Sequence, residues 1–268
     1  MEIIERSEQW RERYNSWQSK QSGAVESLKA YPFVENSRAP FTPARRAITM
    51  TNIALIVSAG AYLDGTDAFD IDASRGDFEL REIPTDINLT DLRFAVRGYE
   101  PTFVQQDANV QVPLERLREF VSNRVIGQMA PAFWSFSGFL PDAGRFVEQT
   151  IPPLLERLHR YDVQAALLIP ASQLCHQSVA LAARAIEPTG LPTMTLGVER
   201  ETLESVRPPR AGYYDGKFGS VVGEPNWPQH QRRVLDEALR LIEPMGQPGI
   251  RKLGVELETK VEVARGER

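Results

Sequence analysis

The chain contains one cysteine, Cys175, and its thiol is the side chain with the clearest potential for chemistry. It stands in the run LLIPASQLCHQSVALAARAIE, where a buried apolar strand leads through a short loop into a helix. We expect Ser172 or a neighbour to cap this helix, which places Cys175 in its first turn. The positive end of a helix dipole favours the reactive thiolate, so Cys175 is a candidate nucleophile or general acid–base. The alternative is a small buried thiol in a packed helix.

Other redox, metal and nucleotide motifs are missing from the sequence. His176 follows Cys175 directly, but consecutive helical positions do not face each other, so it is not expected to be the partner base. His159 and His230 also stand alone, and no metal-ligand spacing occurs. A single cysteine excludes an internal disulfide. The glycine patterns GxGxxG and GxxxxGK, which cradle phosphates, are absent. We therefore predict neither a metal nor a cofactor.

Candidate substrate-binding residues stand in loops that follow apolar strands. In a doubly wound parallel sheet, ligands sit at the carboxyl ends of the strands. This rule selects three loops, at 58–60, 135–138 and 170–175. Their substrate-binding candidates are Gly60, Ser135, Ser137 and Gly138, and Ser178 in the following helix is a further one. Asp107 and Asn109 precede the helix that begins after Pro113, and there they either bind a polar substrate group or cap that helix.

The apolar pattern predicts the elements that position these loops. Short apolar or β-branched runs predict strands at 52–59, 78–83, 92–96, 132–136, 164–169 and 192–196. Helical spacing is found at 1–30, 114–125, 148–159, 175–187 and 229–242. The alternation of strands and helices predicts an α/β fold, with a doubly wound, mostly parallel sheet and helices on both faces.

We divide the sequence into three parts. Residues 1–49 are predicted to hold an amphipathic helix and a proline-rich connector, and residues 50–245 an α/β domain of one or two βαβ lobes. Residues 246–268 form a charged tail in which apolar residues alternate from Leu253 onward. Alternation is typical of an exposed edge strand or of an arm exchanged between subunits, and the alternative is a frayed tail.

Composition limits the class of protein and its partners. The chain has 268 residues, of which 42% are hydrophobic and 25% charged, as in an ordinary soluble globular protein. Its net charge of −5 lacks the basic footprint of a nucleic-acid binder. The longest apolar run is shorter than the about 20 residues that span a bilayer, and no secretory signal pattern is found at the start. We predict a cytoplasmic protein without nucleic-acid or membrane partners.

Six segments, taken together, point to a known family. They are PFTPARRAITMTNIALIVSAGAYL, GDFELREIP, QDANVQVPLERLREFVSNRVIG, WSFSGF, YDVQAALLIPASQLCHQSVALAARAIEPTGLPTMTL and FGSVVGEPNWPQHQRRVLDEAL. In order and spacing they resemble the selenoprotein B family of glycine, sarcosine, betaine and D-proline reductases. The resemblance covers about residues 40–243, and the DxNxxxPxxRLRE element is its most specific part.

The resemblance implies a subunit that reductively cleaves a C–N bond of an amino acid or its N-methyl derivative. The family's reactive element is similar to selenocysteine–x–x–Cys, often followed by a further x–x–Cys. On this sequence these positions are Ser172, Cys175 and Ser178. An alcohol is not a two-electron redox centre, and Cys175 without a second sulfur or a selenium cannot close an internal selenenyl-sulfide or disulfide bond. The resemblance also implies a histidine where Arg97 and Ser220 stand.

These observations leave two main functions open. One is an enzyme that acts on a small carboxylate-bearing, amino-acid-like substrate by carbon–heteroatom bond cleavage or related thiol-assisted chemistry, with Cys175 and Ser172 as catalytic residues. A reductive reaction would need an external thiol reductant or a partner subunit. The alternative is a non-catalytic subunit or binding module of a reductase-like or biosynthetic complex. A homo-oligomer is expected in either case. A nucleotide-dependent oxidoreductase comes last, because architecture alone does not license function.

Overall fold

The computed structural model describes residues 2–21, 28–73 and 76–266. The strands are β1 (Asn52–Val57), β2 (Ala61–Leu63), β3 (Arg81–Pro84), β4 (Leu92–Phe94), β5 (Gln128–Met129), β6 (Ala132–Ser135), β7 (Ala165–Ile169), β8 (Thr193–Gly197), β9 (Arg210–Tyr213) and β10 (Gly249–Lys252). The α-helices are α1 (Ser7–Gln18), α2 (Thr102–Gln106), α3 (Leu114–Ser122), α4 (Ala143–Arg145), α5 (Ile151–Arg160), α6 (Gln173–Ile186), α7 (Arg200–Val206), α8 (Pro228–Leu239) and α9 (Val255–Arg265). Across the described ranges, no helix is both long and apolar enough to cross a membrane.

Most of these strands form one mixed sheet around the central strand β1. The order is β10-β9-β8-β7-β1-β6-β3, and β5 also pairs with β1. The neighbours of β1 are parallel to it, as are the successive pairs from β7 to β10, whereas β3 is antiparallel to β6. The chain thus builds one side of β1 first and then the other, which confirms the predicted doubly wound, mostly parallel α/β fold. The strands β2 and β4 form a separate two-stranded sheet.

Two apolar cores cover the two faces of the main sheet. All six residues of β1 are buried, and they alternate between the faces. Ala54 and Ile56 belong to the core that α1, α5 and α6 complete, whereas Leu55 and Val57 belong to the core that α3 and α8 complete. From Ile53 onward the strand is apolar because both of its faces are buried, and this made the run recognisable in the sequence.

The N-terminal helix is shorter than predicted. The expected helix over 1–30 ends at Gln18, and residues 22–27 lie outside the described residues. Its aromatic stripe packs on the body of the same chain: Trp10, Tyr14 and Trp17 are buried in one of the two cores. The rings of Trp10 and Tyr14 stack with centroids 5.1 Å apart. The indole of Trp10 also donates to the carbonyl of Pro32 at 2.8 Å, which fixes the proline-rich connector against the helix.

The alternating tail is a helix, not the predicted edge strand. The edge strand is β10, which lies just before the alternation and pairs in parallel with β9. The chain then enters α9, with Leu253 and Val255 buried in the second core. On the next turns, Arg233 of α8 donates to Glu262 of α9 at 3.0 Å. Residues 255 and 262 are seven positions apart, which is about two turns of a helix, so a helix places both on the face toward the body. In a strand, residues seven apart point to opposite faces, so only one of the two could face the body.

The helical stretch predicted to begin at Glu148 begins earlier, at Ala143. It runs through α4, a widened turn of π-helix over Phe146–Thr150, and then α5. Pro152 and Pro153 have no N–H to donate, and their rings clash with the carbonyl one turn earlier. The widened turn accommodates both prolines within one continuous helical segment.

Candidate functional site

Three of the loops predicted to bind a ligand meet at Cys175. They follow β1, β6 and β7, which are neighbours at the centre of the sheet. The sulfur of Cys175 lies 3.3 Å from the carbonyl oxygen of Ser58, after β1, and 3.2 Å from that of Gly138, after β6. The loop after β7 leads directly into α6, which carries Cys175 in its first turn. The thiol can donate a hydrogen bond to either carbonyl, and the three loops enclose it at the carboxyl ends of the strands.

Ser172 caps α6, as predicted, and faces Cys175. Its hydroxyl oxygen accepts a hydrogen bond from the backbone N–H of Cys175 at 3.2 Å. The same oxygen lies 3.0 Å from the sulfur of Cys175 and 3.3 Å from the carbonyl oxygen of Gly138. The side chains of residues 172 and 175 are therefore in direct contact across the first turn of the helix.

This pair of side chains is closed off from solvent. Cys175 is 1% exposed and Ser172 2% exposed. A small apolar cluster surrounds the thiol, and its buried members are Ala59, Tyr99, Val104, Val110 and Ala171. The segment that precedes Tyr99 passes over the serine, since a Cβ at Gly98 would lie only 3.6 Å from the Ser172 hydroxyl. A substrate can reach Cys175 only when part of this cover moves.

His176 faces away from the thiol and is held as a neutral ring. Its Nε2 accepts from the backbone N–H of Val198 at 3.0 Å, so Nδ1 carries the proton and donates to the carbonyl of Ser172 at 2.7 Å. Complete burial lowers the pKa of His176 to about 4. The prediction that His176 is not the partner base of Cys175 is confirmed. The ring instead ties the end of β8 to the residue that caps α6.

Asp107 and Asn109 lie outside this cluster and are engaged by the protein. Asp107 accepts from the backbone and side-chain amides of Asn109, from the backbone of Asn226 and from the side chain of Gln231, at 2.9, 3.0, 2.9 and 2.6 Å. Burial alone would raise the pKa of Asp107, but these hydrogen bonds hold it below its usual value. Asn109 in turn accepts from the backbone N–H of Glu115 at 3.2 Å and so caps α3. Four donors occupy the four lone-pair positions of the Asp107 carboxylate.

A surface pocket connects these two residues with the thiol cluster. Its volume is about 550 Å³, and Asp107 and Asn109 form part of its polar side. Its apolar side includes Phe94, Val96 and Val104. The same three side chains belong to, or pack against, the cluster that contains Cys175. The pocket and the thiol thus border the same apolar cluster.

The remaining candidate residues are Ser135, Ser137, Ser178 and Gly60, and their hydrogen bonds are mostly to nearby backbone. Ser135 is fully buried, and its hydroxyl has no hydrogen-bond partner among the described residues. Ser137 accepts from a backbone N–H two residues onward, and Ser178 donates to the carbonyl four residues earlier in α6. Gly60 accepts from the backbone N–H of Ala95 at 2.9 Å, and its positive φ of 66° suits glycine. Within the described residues, no three His, Cys, Asp or Glu side chains are grouped as metal ligands.

Sequence reasoning missed Tyr99, although it noted the neighbouring Arg97. The Tyr99 hydroxyl donates to the carbonyl of Ala59 at 2.6 Å, and burial raises the pKa of Tyr99 well above its usual value. The guanidinium of Arg97 lies 3.7 Å from the centre of the Phe139 ring. Ser220, the other position where the resemblance implies a histidine, donates to a backbone carbonyl three residues onward. No pattern in VRGYE distinguishes the buried tyrosine from an exposed one.

The fold and this crevice define an α/β protein with its candidate site at the carboxyl ends of β1, β6 and β7. Over residues 25–170, the sequence matches the family model described as glycine/sarcosine/betaine reductase selenoprotein B. This match covers more than half of the chain, which therefore belongs to that family. The matched range ends before Ser172 and Cys175, so it does not test the proposed reactive positions.

Three relatives support the assignment. The chain is 29% identical over 217 residues to the D-proline reductase subunit gamma of Acetoanaerobium sticklandii, an alignment that covers 81% of this chain and 88% of that protein. It is 25% identical over 170 residues to the glycine reductase complex component B subunit gamma of Symbiobacterium thermophilum. It is 26% identical over 172 residues to the sarcosine reductase complex component B subunit beta of Peptoclostridium acidaminophilum. The last two alignments cover 61% and 62% of this chain, but only 38% of each relative. No solved structure matches the chain.

Proposed function

We propose that this protein is a subunit of a reductase-type complex, and that Cys175 performs thiol chemistry on a small carboxylate-bearing, amino-acid-like substrate. The names of the relatives, which are reductase subunits, support the class of reaction. The observation that carries the proposal is the 3.0 Å contact between the side chains of Ser172 and Cys175. It lies at the helix start where the family resemblance puts its selenium–sulfur pair.

The electron balance of such a reaction requires a second thiol. Reductive cleavage of a C–N bond consumes two electrons and two protons, and it forms one C–H and one N–H bond. Two thiols supply these when they are oxidised together to a disulfide. Cys175 is the only cysteine of the chain, and Ser172 cannot be oxidised in its place. The second thiol would come from a small-molecule thiol or from a partner subunit, and the product would be a mixed disulfide at Cys175.

A non-catalytic subunit is the alternative, and the burial of the thiol favours it. Cys175 is 1% exposed, and its sulfur is enclosed by backbone carbonyls and apolar side chains. A chain that only binds or organises other subunits would keep such a thiol as part of its core. The two functions predict different effects of removing the Cys175 sulfur, because only a catalytic role requires the thiol for turnover.

Turnover by matched variants tests the proposal. The protein, alone and with its co-purified partners, is incubated with glycine, sarcosine, betaine or D-proline and dithiothreitol, and cleavage products are measured by mass spectrometry. We expect a product that Cys175→Ala abolishes and that Thr189→Ala, just beyond the other end of α6, leaves unchanged. Full turnover by Cys175→Ala would refute the catalytic role of the thiol. Assembly with partners but no turnover in any combination would favour the non-catalytic subunit.

A further inference from the structure

Apolar side chains lie between the surface pocket and the thiol. Val96 and Val104 line the pocket and belong to, or pack against, the cluster that contains Cys175. This cluster has six buried members, far fewer than either of the two cores on the sheet faces. Regions with few buried apolar contacts open at a lower free-energy cost than the cores do. A local opening here would join the pocket to the thiol.

The segment 95–100, which we name the gate, covers the pair on this side. Gly98 of the gate lies over the Ser172 side chain, with a positive φ of 86°. The gate follows β4, which pairs with β2 in a sheet separate from the main one. Displacing the gate therefore breaks no pairing of the main sheet. Its backbone is anchored by the hydrogen bond from Ala95 to Gly60 at 2.9 Å.

The hydroxyl of Tyr99 holds the gate to a neighbouring loop, and we call this contact the latch. It donates to the carbonyl of Ala59 at 2.6 Å, and the carbonyl belongs to the loop that follows β1. The ring of Tyr99 fills the cluster beside Cys175, with an exposure of 9%. Its edge packs close to Gly138, where an added Cβ would be 3.4 Å away. One side chain thus joins the gate to two of the loops that surround the thiol.

We infer that the pocket lined by Asp107, Asn109 and Val104 is the entrance to Cys175, and that the gate, latched by Tyr99, closes it. Small polar organic molecules are the class that fits, since the entrance is polar on one side and apolar on the side of the thiol. This gives the proposed thiol chemistry a route. The test below measures access alone, so it is independent of whether that chemistry occurs.

The single cysteine makes the opening directly measurable. The native protein is treated with 5,5′-dithiobis(2-nitrobenzoic acid), and the release of the coloured thiolate gives the rate of modification of Cys175. Tyr99→Phe removes the latch but keeps the ring. Because one hydrogen bond contributes about 1 kcal/mol, we expect modification about 5-fold to 10-fold faster than in the unmodified sequence. Val104→Ala shortens an apolar side chain that lines the pocket and belongs to the cluster around Cys175, and we expect it to increase the rate of modification as well.

A matched control separates local opening from global unfolding. Tyr161 lies at the opposite end of β7, and its hydroxyl also makes one short hydrogen bond, to Glu82 at 2.5 Å. We expect Tyr161→Phe to leave the rate unchanged, and the rate to be nearly independent of urea below the unfolding transition. Equal acceleration by both tyrosine variants, or a rate that follows the urea dependence of unfolding, would overturn the gate. A fast rate in Tyr99→Phe without any turnover would support the gate and count against the proposed chemistry.

Discussion

Replacing Ser172 with cysteine should convert the contact with Cys175 into a disulfide. The two side-chain atoms are 3.0 Å apart, and a disulfide requires about 2.05 Å. A carbon–sulfur bond is longer than a carbon–oxygen bond, so the new sulfur starts closer to its partner than the hydroxyl does. The remaining approach is within the reach of small side-chain rotations at the first turn of α6.

The expected change in stability follows from two opposing effects. The hydroxyl of Ser172 caps α6 through the N–H of Cys175, and losing such a cap costs about 1 kcal/mol. Closing a loop of four residues reduces the entropy of the unfolded chain by about 6 cal/mol/K, or about 2 kcal/mol at 25 °C. The reduced variant should therefore unfold more easily than the parent, and the oxidised variant should regain at least the parent's stability.

Thiol counting with a matched control checks this prediction. After equilibration with oxidised glutathione, Ser172→Cys should show no free thiol under denaturing conditions and an intact mass lower by two hydrogens. Ser178→Cys places the new sulfur three residues beyond Cys175 within α6, where Cβ atoms are about 5–6 Å apart and a disulfide does not fit. Two free thiols in oxidised Ser172→Cys would refute the conclusion that residues 172 and 175 face each other.

Three further predictions concern the residues that support the site. Burial lowers the pKa of His176 from 6.5 to about 4. As the pH falls, the histidine of the unfolded chain therefore takes up a proton before the histidine of the folded protein does, and stability should fall between about pH 6.5 and pH 4. This loss of unfolding free energy is about 3 kcal/mol. Urea titrations of His176→Gln at several pH values should show an unfolding free energy that depends much less on pH over this range. Asp107→Ala removes the carboxylate that accepts from Asn226 and Gln231, and we expect a loss of about 2–3 kcal/mol in unfolding free energy by denaturant titration. Arg210→Met strips the fully buried Glu187 of its partner at 2.7 Å, and calorimetry should show a loss of about 3–5 kcal/mol that Glu187→Gln partly restores.

The elements that could be predicted from the sequence are those whose residue pattern has a single physical explanation. The runs at 53–57 and 165–169 are apolar because both faces of their strands are buried. The strand β9 was missed because it carries Arg210, a charge that is fully buried only through a pairing with Glu187. The alternation after Leu253 was misread because its charges pair with a neighbouring helix, and this information is held in residues far away in sequence.

The candidate site shows the same division between local and distant information. That Ser172 caps a helix bearing Cys175 follows from neighbouring residues, and the rule for strand ends correctly brought three loops together. The closure of the pair could not be predicted in this way. It depends on Gly98 and Tyr99, which reach the site by way of a separate small sheet and which carry no motif of their own.

The closure and the serine together limit how a thiol reaction could proceed here. A sulfur or selenium atom at position 172 would allow oxidation to finish inside the closed site, because its partner would already be in contact. With Ser172 in that place, the second thiol must come through the same opening as the substrate. A small-molecule thiol needs only a local displacement of the gate, whereas a cysteine on a partner subunit must carry its own backbone to the strand ends. Oxidation of Cys175 in Tyr99→Phe by small disulfides of increasing size would therefore reveal how wide the opening is, and which source of the second thiol it admits.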